Sequence, residues 1–342
     1  MHTLEDYGWS EQKQRAWNEL SLSQLKPARV IADFGTSLTI VMPNAVTAEL
    51  SGKLAHYTSR EDTPKVGDWV AVKVYDNSPP TIEMVVLRAN TITRKVAGKR
   101  VMKQIIAANI DLAFVLLALD DDFSVERLQR FLYQLSANAI ESIIVLNKAD
   151  KTEDIQHYLS QLDHLNLPIL ITTATEGAGV ETITARISSG CTAILLGSSG
   201  VGKSTLTNRL LGRDAQTTNE IRESDSTGKH TTVHRELFML PSGGMLIDTP
   251  GIRELQLWGS EEDLDDTFKD VLLLTRQCRY NSCQHTKEQD CAIKRALDKG
   301  TLDKKRYRNF VKMKTELLKL AQRQNERHRM NNRRHRSDDL RD

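Results

Sequence analysis

Cysteine is scarce in this chain, 4 in 342 residues, and so few in such a length do not build a disulfide framework. Long apolar runs are missing as well. Nothing approaches the roughly 20 uninterrupted apolar residues of a membrane helix, so no membrane partner is expected. The opening stretch, MHTLEDYGWSEQKQ, lacks the basic-then-apolar layout of a secretion signal. There is no excess of one charge: 47 Lys and Arg face 45 Asp and Glu, a formal +2, so the chain as a whole is no obvious polyanion binder. No internal repeat is visible. With 39% hydrophobic and 27% charged residues, the chain reads as cytoplasmic, soluble and globular. Its length exceeds one typical domain.

Texture changes along the chain. Residues 1–28 are a polar arm with Trp9 and Trp17 as isolated apolar points. Over 29–93, the short β-rich runs ARVIADFGTSLTIVM, AVTAELSGKLA, DWVAVKVY and TIEMVVLRAN alternate with turn residues. They predict a small closed barrel, OB-like or SH3-like. The segment 94–108 is basic (Arg94, Lys95, Lys99, Arg100, Lys103), shows no strand alternation and reads as a linker. From 109 to 257, near-continuous apolar strands alternate with helical patterns, among them SVERLQRFLYQLSANA with a Ser124 cap. That alternation predicts a mostly parallel sheet covered by helices on both faces. A helical, charged region follows at 258–325, then a basic tail at 326–342 carrying Arg327, Arg329, Arg333, Arg334 and Arg336. By itself such a charge run is a solvated helix end.

The stretch LLGSSGVGKST fills G-x-x-x-x-G-K-[ST]. Gly197, Gly200 and Gly202 let the backbone of Ser198, Ser199 and Val201 curl so that its N–H groups form an anion nest. Lys203 reaches the terminal phosphates, and Ser204 takes one Mg²⁺ position. The helix through Thr205 points its positive end at the anion. The preceding buried strand and the following amphipathic helix are what the motif requires. Downstream, MLIDTPG ends a strand on Asp248, where a second Mg²⁺-associated carboxylate belongs, and the Gly251 N–H can meet the γ-phosphate. The polar segment 219–233 between them has the composition of a switch. Thr231 or Thr232 completes the Mg²⁺ shell, with Thr232 favoured.

A second signal, IIVLNKAD, precedes the first. Asn147, Lys148 and Asp150 match N-K-x-D at a strand end. An aspartate there accepts from the N1–H and exocyclic amine of guanine, which adenine does not offer, and the lysine stem lies along the ring. One strand later, Thr173 and Ala174 occupy the place of a loop that contacts guanine O6. The order is base reader, base loop, phosphate loop, switch, D-T-P-G. This is a GTPase order rotated, which a doubly wound sheet tolerates because element ends lie at the surface.

Three of the four cysteines cluster with a histidine: Cys278, Cys283, His285 and Cys291 give C-x₄-C-x-H-x₅-C. In a reducing compartment three thiolates and one imidazole suit one closed, tetrahedral structural Zn²⁺. Cys191 stands apart and reads as a small core residue.

Together KQIIAANID (103–111), NKAD, GSSGVGKSTLTNRL, GKHTT (228–232), DTPGIREL and CRYNSCQHTKEQDCAI (278–293) resemble the circularly permuted ribosome small-subunit-dependent GTPase A family, over about 29–316. The resemblance implies an OB-fold barrel, a permuted GTPase domain and a C-terminal helical zinc-binding domain. It also implies GTP hydrolysis to GDP stimulated by the small ribosomal subunit, a role late in that subunit's assembly, and contacts of barrel and finger with ribosomal RNA. A monomer is expected. Two positions depart from the family pattern: Ile252 follows D-T-P-G where the family has Phe, and Asp290 stands where it often has Pro. Ile252 cannot orient a water, so slow intrinsic hydrolysis is expected, with His230 as the candidate catalytic residue beside Lys203. The competing readings are an RNA-binding module with an inactive guanine site and a small-molecule kinase. Intact Lys203, Ser204, Asp248 and N-K-x-D argue against both.

Overall fold

The computed structural model describes residues 2–338 apart from 36, 57, 58, 60, 96–102, 213–234, 249–256 and 258. In the arm, α1 (Glu11–Glu19) starts at Ser10, whose side chain accepts the Lys13 N–H and caps the first turn. Trp9 packs edge-on against Trp17 and Trp69, with ring centroids 6.1 and 4.7 Å apart. The two tryptophans that look isolated in sequence are therefore buried anchors, 6% and 7% exposed.

Next come β1 (Lys26–Asp33), β2 (Leu38–Val41), β3 (Ala45–Leu50), α2 (Gly52–His56), β4 (Trp69–Lys73) and β5 (Thr81–Val86). Their order is β1-β2-β3-β5-β4, and β4 returns to β1, pairing Lys26 with Val72 through Arg29 with Trp69. The β3–β5 pair is parallel and the others antiparallel. This is the connectivity of an OB barrel. Ala28, Val30, Ile40, Val70, Val72 and Ile82 fill its core.

The described residues of the segment expected as a linker lie in strands. β6 (Thr91–Lys95) and β7 (Lys103–Ala108) form an antiparallel ribbon, with Ile92, Ile105, Ile106, Ala107 and Ala108 buried. Its register shifts between Ile92 and Thr93, which breaks the two-residue alternation by which strands are recognised.

The large sheet is built from β8 (Leu112–Ala118), α3 (Val125–Ser136), β9 (Glu141–Asn147), α4 (Ile155–Ser160), β10 (Ile169–Ile171), α5 (Val180–Thr184), β11 (Thr192–Leu196), α6 (Lys203–Leu211), β12 (Arg235–Met239) and β13 (Met245–Asp248). The strand order is β10-β9-β8-β11-β13-β12, parallel except for β12. All seven residues of β8 are buried. Ala113, Val115 and Leu117 meet Leu128, Phe131 and Leu135 of α3 on one face, while Leu112, Phe114 and Leu116 meet Ile183, Leu206 and Leu210 of α5 and α6 on the other. That two-sided burial is why the strands read as continuous apolar runs. β12 then pairs with β1, Ala32 opposite Glu236 and Asp33 opposite Arg235, so barrel and sheet are one hydrogen-bonded array.

The C-terminal region contains α7 (Leu264–Thr267), α8 (Lys269–Thr275), α9 (Ala292–Asp298) and α10 (Lys304–Asp338). Its core of Leu264, Phe268, Val271, Ile293, Phe310 and Met313 includes Tyr133 from α3. Helix continues through Asp338, across most of the segment expected as a separate basic tail.

Candidate functional site

Parallel strands of a doubly wound sheet aim their carboxyl ends at one crevice, and ligands of such sheets bind there. The loops after β8, β9, β10 and β11 leave from that end, and β13 ends there on Asp248. The loop after β11 makes a tight curl. Gly197 has φ 148°, and a Cβ on it would sit 2.7 Å from the Leu116 carbonyl oxygen. Gly202 has φ 102°, and a Cβ there would lie 2.2 Å from the Asn147 amide nitrogen. Both positions therefore require glycine. α6 begins at Lys203, so its unpaired N–H groups open towards the loop. Lys203 Nζ donates to the carbonyls of Gly197 (2.8 Å) and Ser198 (2.5 Å). Val201 is buried, Ser199 and Gly200 are exposed, and Ser198, Ser204 and Thr205 are half-buried.

Asn147 ends β9 and is 2% exposed. Its amide nitrogen donates to the Val201 carbonyl (2.8 Å), and its oxygen accepts from Thr172 Oγ1 (3.0 Å) and the Ala174 N–H (3.1 Å). One side chain thus joins the loops after β9, β10 and β11. Lys148 adopts a left-handed conformation, φ 63°, and its Nζ donates to Asp120 Oδ2 at 2.7 Å. Asp150 lies in a short 3-10 turn at 149–151, exposed, 3.4 Å from Lys151 Nζ. The Thr173 N–H donates to the Ala178 carbonyl at 3.0 Å, closing the loop that holds Ala174. Asp248 ends β13, whose Ile247 pairs with Ile194 of β11, so this carboxylate sits at the same end of the sheet as the glycine loop. His230, Thr231, Thr232, Gly251 and Ile252 lie outside the described residues.

Three contacts escape the motif reading. Arg209 of α6 donates through Nε to the Ala174 carbonyl at 3.2 Å and through its terminal nitrogen to the Thr175 carbonyl. Asp120 holds Lys148. Asp122 accepts from Arg127 NH1 with both oxygens, at 2.9 and 2.7 Å, and also from the Ser198 hydroxyl. Hydrogen bonding from Arg127, reinforced by Ser198, holds the Asp122 carboxyl below the usual carboxylate range despite some burial. The acidic run after a buried strand was visible in DDDF. Arg209 carries no local signal, since its acceptors are backbone atoms 34 and 35 residues away.

The ligand atoms of Cys278, Cys283, His285 and Cys291 lie within 4.8 Å of one another. His285 Nδ1 is 3.5 Å from Cys278 Sγ and 3.4 Å from Cys291 Sγ, and the two sulfurs are 4.0 Å apart. A tetrahedral zinc with ordinary bond lengths sets S–S near ~3.8 Å and S–N near ~3.6 Å, so the group fits that ion. Glu288 shapes the connecting loop: its carboxylate accepts the N–H groups of Gln284, Thr286 and Lys287 at 2.9, 2.8 and 3.0 Å. Those backbone bonds hold its pKa down at about 2.

A glycine loop opening a helix, with an Asn-Lys-x-Asp turn tied to it from an earlier strand, defines a phosphate-loop protein whose elements run in rotated order. The sequence profile of the family described as RsgA GTPase matches residues 85–258. A small ribosomal subunit biogenesis GTPase RsgA 1 of Oceanobacillus iheyensis is 41% identical over 283 residues, covering 81% of each chain. A small ribosomal subunit biogenesis GTPase RsgA of Opitutus terrae is 36% identical over 335 residues, covering 94% of this chain and 91% of its own. Among solved structures, YjeQ from Thermotoga maritima matches with a TM-score of 0.63 at 26% identity, over 86% of this chain and 99% of its own. The chain belongs to the RsgA GTPase family.

Proposed function

We propose that this protein hydrolyses GTP to GDP and phosphate, with the small ribosomal subunit as its activating partner, and that it acts in biogenesis of that subunit. The observation that carries the chemistry is Asn147, which hydrogen-bonds the phosphate loop at Val201 and the base loop at Ala174 at once. A base reader coupled in this way senses both ends of one nucleotide. Asp150 then selects guanine, with the Thr173–Ala174 backbone towards its O6. The loop from Gly197 to Thr205 holds the phosphates, and Lys203 leaves its carbonyl partners to reach them.

Ser204, Asp248 and Thr232 supply hard oxygen donors of the kind Mg²⁺ takes, and the ion neutralises charge on the terminal phosphates. Gly251 offers its N–H to the γ-phosphate. His230 orients the attacking water, the role Ile252 cannot fill. Cys278, Cys283, His285 and Cys291 hold one zinc, which makes 258–325 a structural domain. The barrel (29–93) and the zinc domain are the surfaces that meet ribosomal RNA, with the permuted GTPase unit (109–257) between them. The names of the relatives and the family support this reading. The protein works in the cytoplasm as a monomer, and no described helix is long and apolar enough to cross a membrane.

The test is GTP turnover titrated with isolated small subunits. A rise of at least tenfold over the basal rate is expected, on the scale of the activation that completed phosphoryl-transfer sites achieve (about 10³–10⁵-fold at most). A rate that stays flat across the titration would leave only a nucleotide-binding protein. His230→Ala should keep GTP affinity and lose most of the stimulated rate, read by single-turnover hydrolysis on the subunit.

A further inference from the structure

The acidic turn between β8 and α3, Asp120-Asp121-Asp122, belongs to none of the motifs above, yet two of its side chains end on the nucleotide loops. Asp120 uses both oxygens: Oδ1 accepts the Asp122 N–H at 3.0 Å, fixing the turn, and Oδ2 accepts Lys148 Nζ at 2.7 Å. Asp122 is gripped by Arg127 and takes the Ser198 hydroxyl, the residue next to Gly197 in the glycine loop. Both ion pairs are partly exposed, with side-chain exposures of 31% and 30% for Lys148 and Asp120 and 27% and 44% for Arg127 and Asp122. Pairs so exposed add little to folding stability. A carboxylate beside a phosphate loop is electrostatically adverse, and the two-oxygen contact with Arg127 offsets that charge. Their placement makes sense as positioning.

We propose that Asp120 and Asp122 form a positioning clamp for the nucleotide, resting on the guanine-nucleotide reading of this site. Asp120 anchors the tip of Lys148, so its long stem is laid out before the purine arrives. Asp122 anchors Ser198, so the glycine loop keeps its curl. Neither group touches the reacting atoms. The gain is preorganisation: a flexible stem and a glycine loop lose freedom in the empty protein rather than on binding.

The test uses the full chain and a fluorescent GDP analogue, titrated into wild type, D120N, K148M and D120N/K148M. D120N should weaken binding about three- to tenfold, a modest polar coupling. The KM for GTP should rise by the same factor with kcat within about twofold, as uniform binding energy requires. Melting temperature should stay within about 2 °C, because the pair is exposed. Inosine diphosphate should lose affinity in the same proportion, since the stem does not read the exocyclic amine. In the K148M background D120N should add nothing, the signature of an effect passed through one partner. The cycle of D122N with S198A should be non-additive in the same way. Wild-type affinity in D120N, or an equal further loss on top of K148M, overturns the clamp while the nucleotide reading stands. If wild type binds ADP as tightly as GDP, the guanine reading fails and the clamp with it.

Discussion

At the scale of single residues, the site depends on a few side chains whose partners are backbone atoms. Asn147 is the sharpest case. Truncation to alanine removes the donor to Val201 and the acceptor for Thr172 and Ala174. Each lost bond to a buried group costs about 1–3 kcal/mol. Asn147→Ala is therefore expected to weaken GDP binding at least about tenfold, one decade per ~1.4 kcal/mol, and to lower the melting temperature, read by titration and thermal denaturation. Sequence reveals the identity of this residue through N-K-x-D, and the strand end it occupies. It does not reveal that the glycine at 202 is needed to make room for the Asn147 amide, because that contact spans 55 positions of sequence. The partners of Asp120, Asp122 and Arg209 were illegible for a related reason. They are single hydroxyl, ammonium or carbonyl groups that no spacing rule encodes.

Elements divide by how they are buried. β8, β9 and β11 are covered on both faces and are plain in the sequence as apolar runs. The ribbon of β6 and β7 is irregular in register and carries cations, which is why it reads as a linker. The OB barrel is legible as short strands, but its closure by β4 onto β1 is long-range pairing that only the structure supplies. In the C-terminal region, α8 and α10 are joined by Arg306, whose Nε and terminal nitrogen donate to the Asp270 carboxylate at 2.7 and 2.5 Å. Burial raises the Asp270 pKa, but the Arg306 hydrogen bonds and charge outweigh it and set it below the usual carboxylate range. A depressed folded-state pKa contributes stability that is present above the unfolded value and lost as pH falls through the folded one. Asp270→Asn should thus lower stability at pH 7 and flatten its fall below about pH 4, measured by denaturant unfolding across pH. The Cys278–Cys291 loop offers a separate test. Zinc-dependent loops gain folding energy from the metal. For the zinc proposed there, Cys283→Ser or a strong chelator should cut the metal from one per chain to none by elemental analysis and lower the melting temperature.

On the scale of the whole molecule, Arg29 joins the parts. It is 2% exposed and donates to the carbonyls of Gly67 and Asn109 at 3.3 Å each, to Thr192 Oγ1 at 2.8 Å, and to the Tyr7 carbonyl. Its guanidinium also stacks over Trp69, 5.1 Å from the ring centroid. Arm, barrel, ribbon and large sheet therefore meet on one side chain. Removing the guanidinium leaves several buried acceptors unpaired, at about 1–3 kcal/mol for each. Arg29→Met should lower the melting temperature by several degrees and loosen barrel and sheet together, seen as a single broadened transition with faster amide exchange in both. On its outer side α3 meets the C-terminal region: the Tyr133 hydroxyl donates to the Ser260 carbonyl at 2.8 Å, and Arg130 pairs with Glu316 at 2.6 Å. The C-terminal region is thus seated on the same helix whose Arg127 grips Asp122 beside the phosphate loop.

The pairing of β12 with β1 has a further consequence, for solubility. An open sheet ends in two rows of unpaired backbone groups that invite other chains to add strands. Here β12 is covered by Ala32 and Asp33 of the barrel, and β10, at the other end of the order, is only three residues long. A sheet that would otherwise be sticky along one side is joined to its neighbour there over the first two of the strand's five residues, and along the other side is nearly too short to template anything.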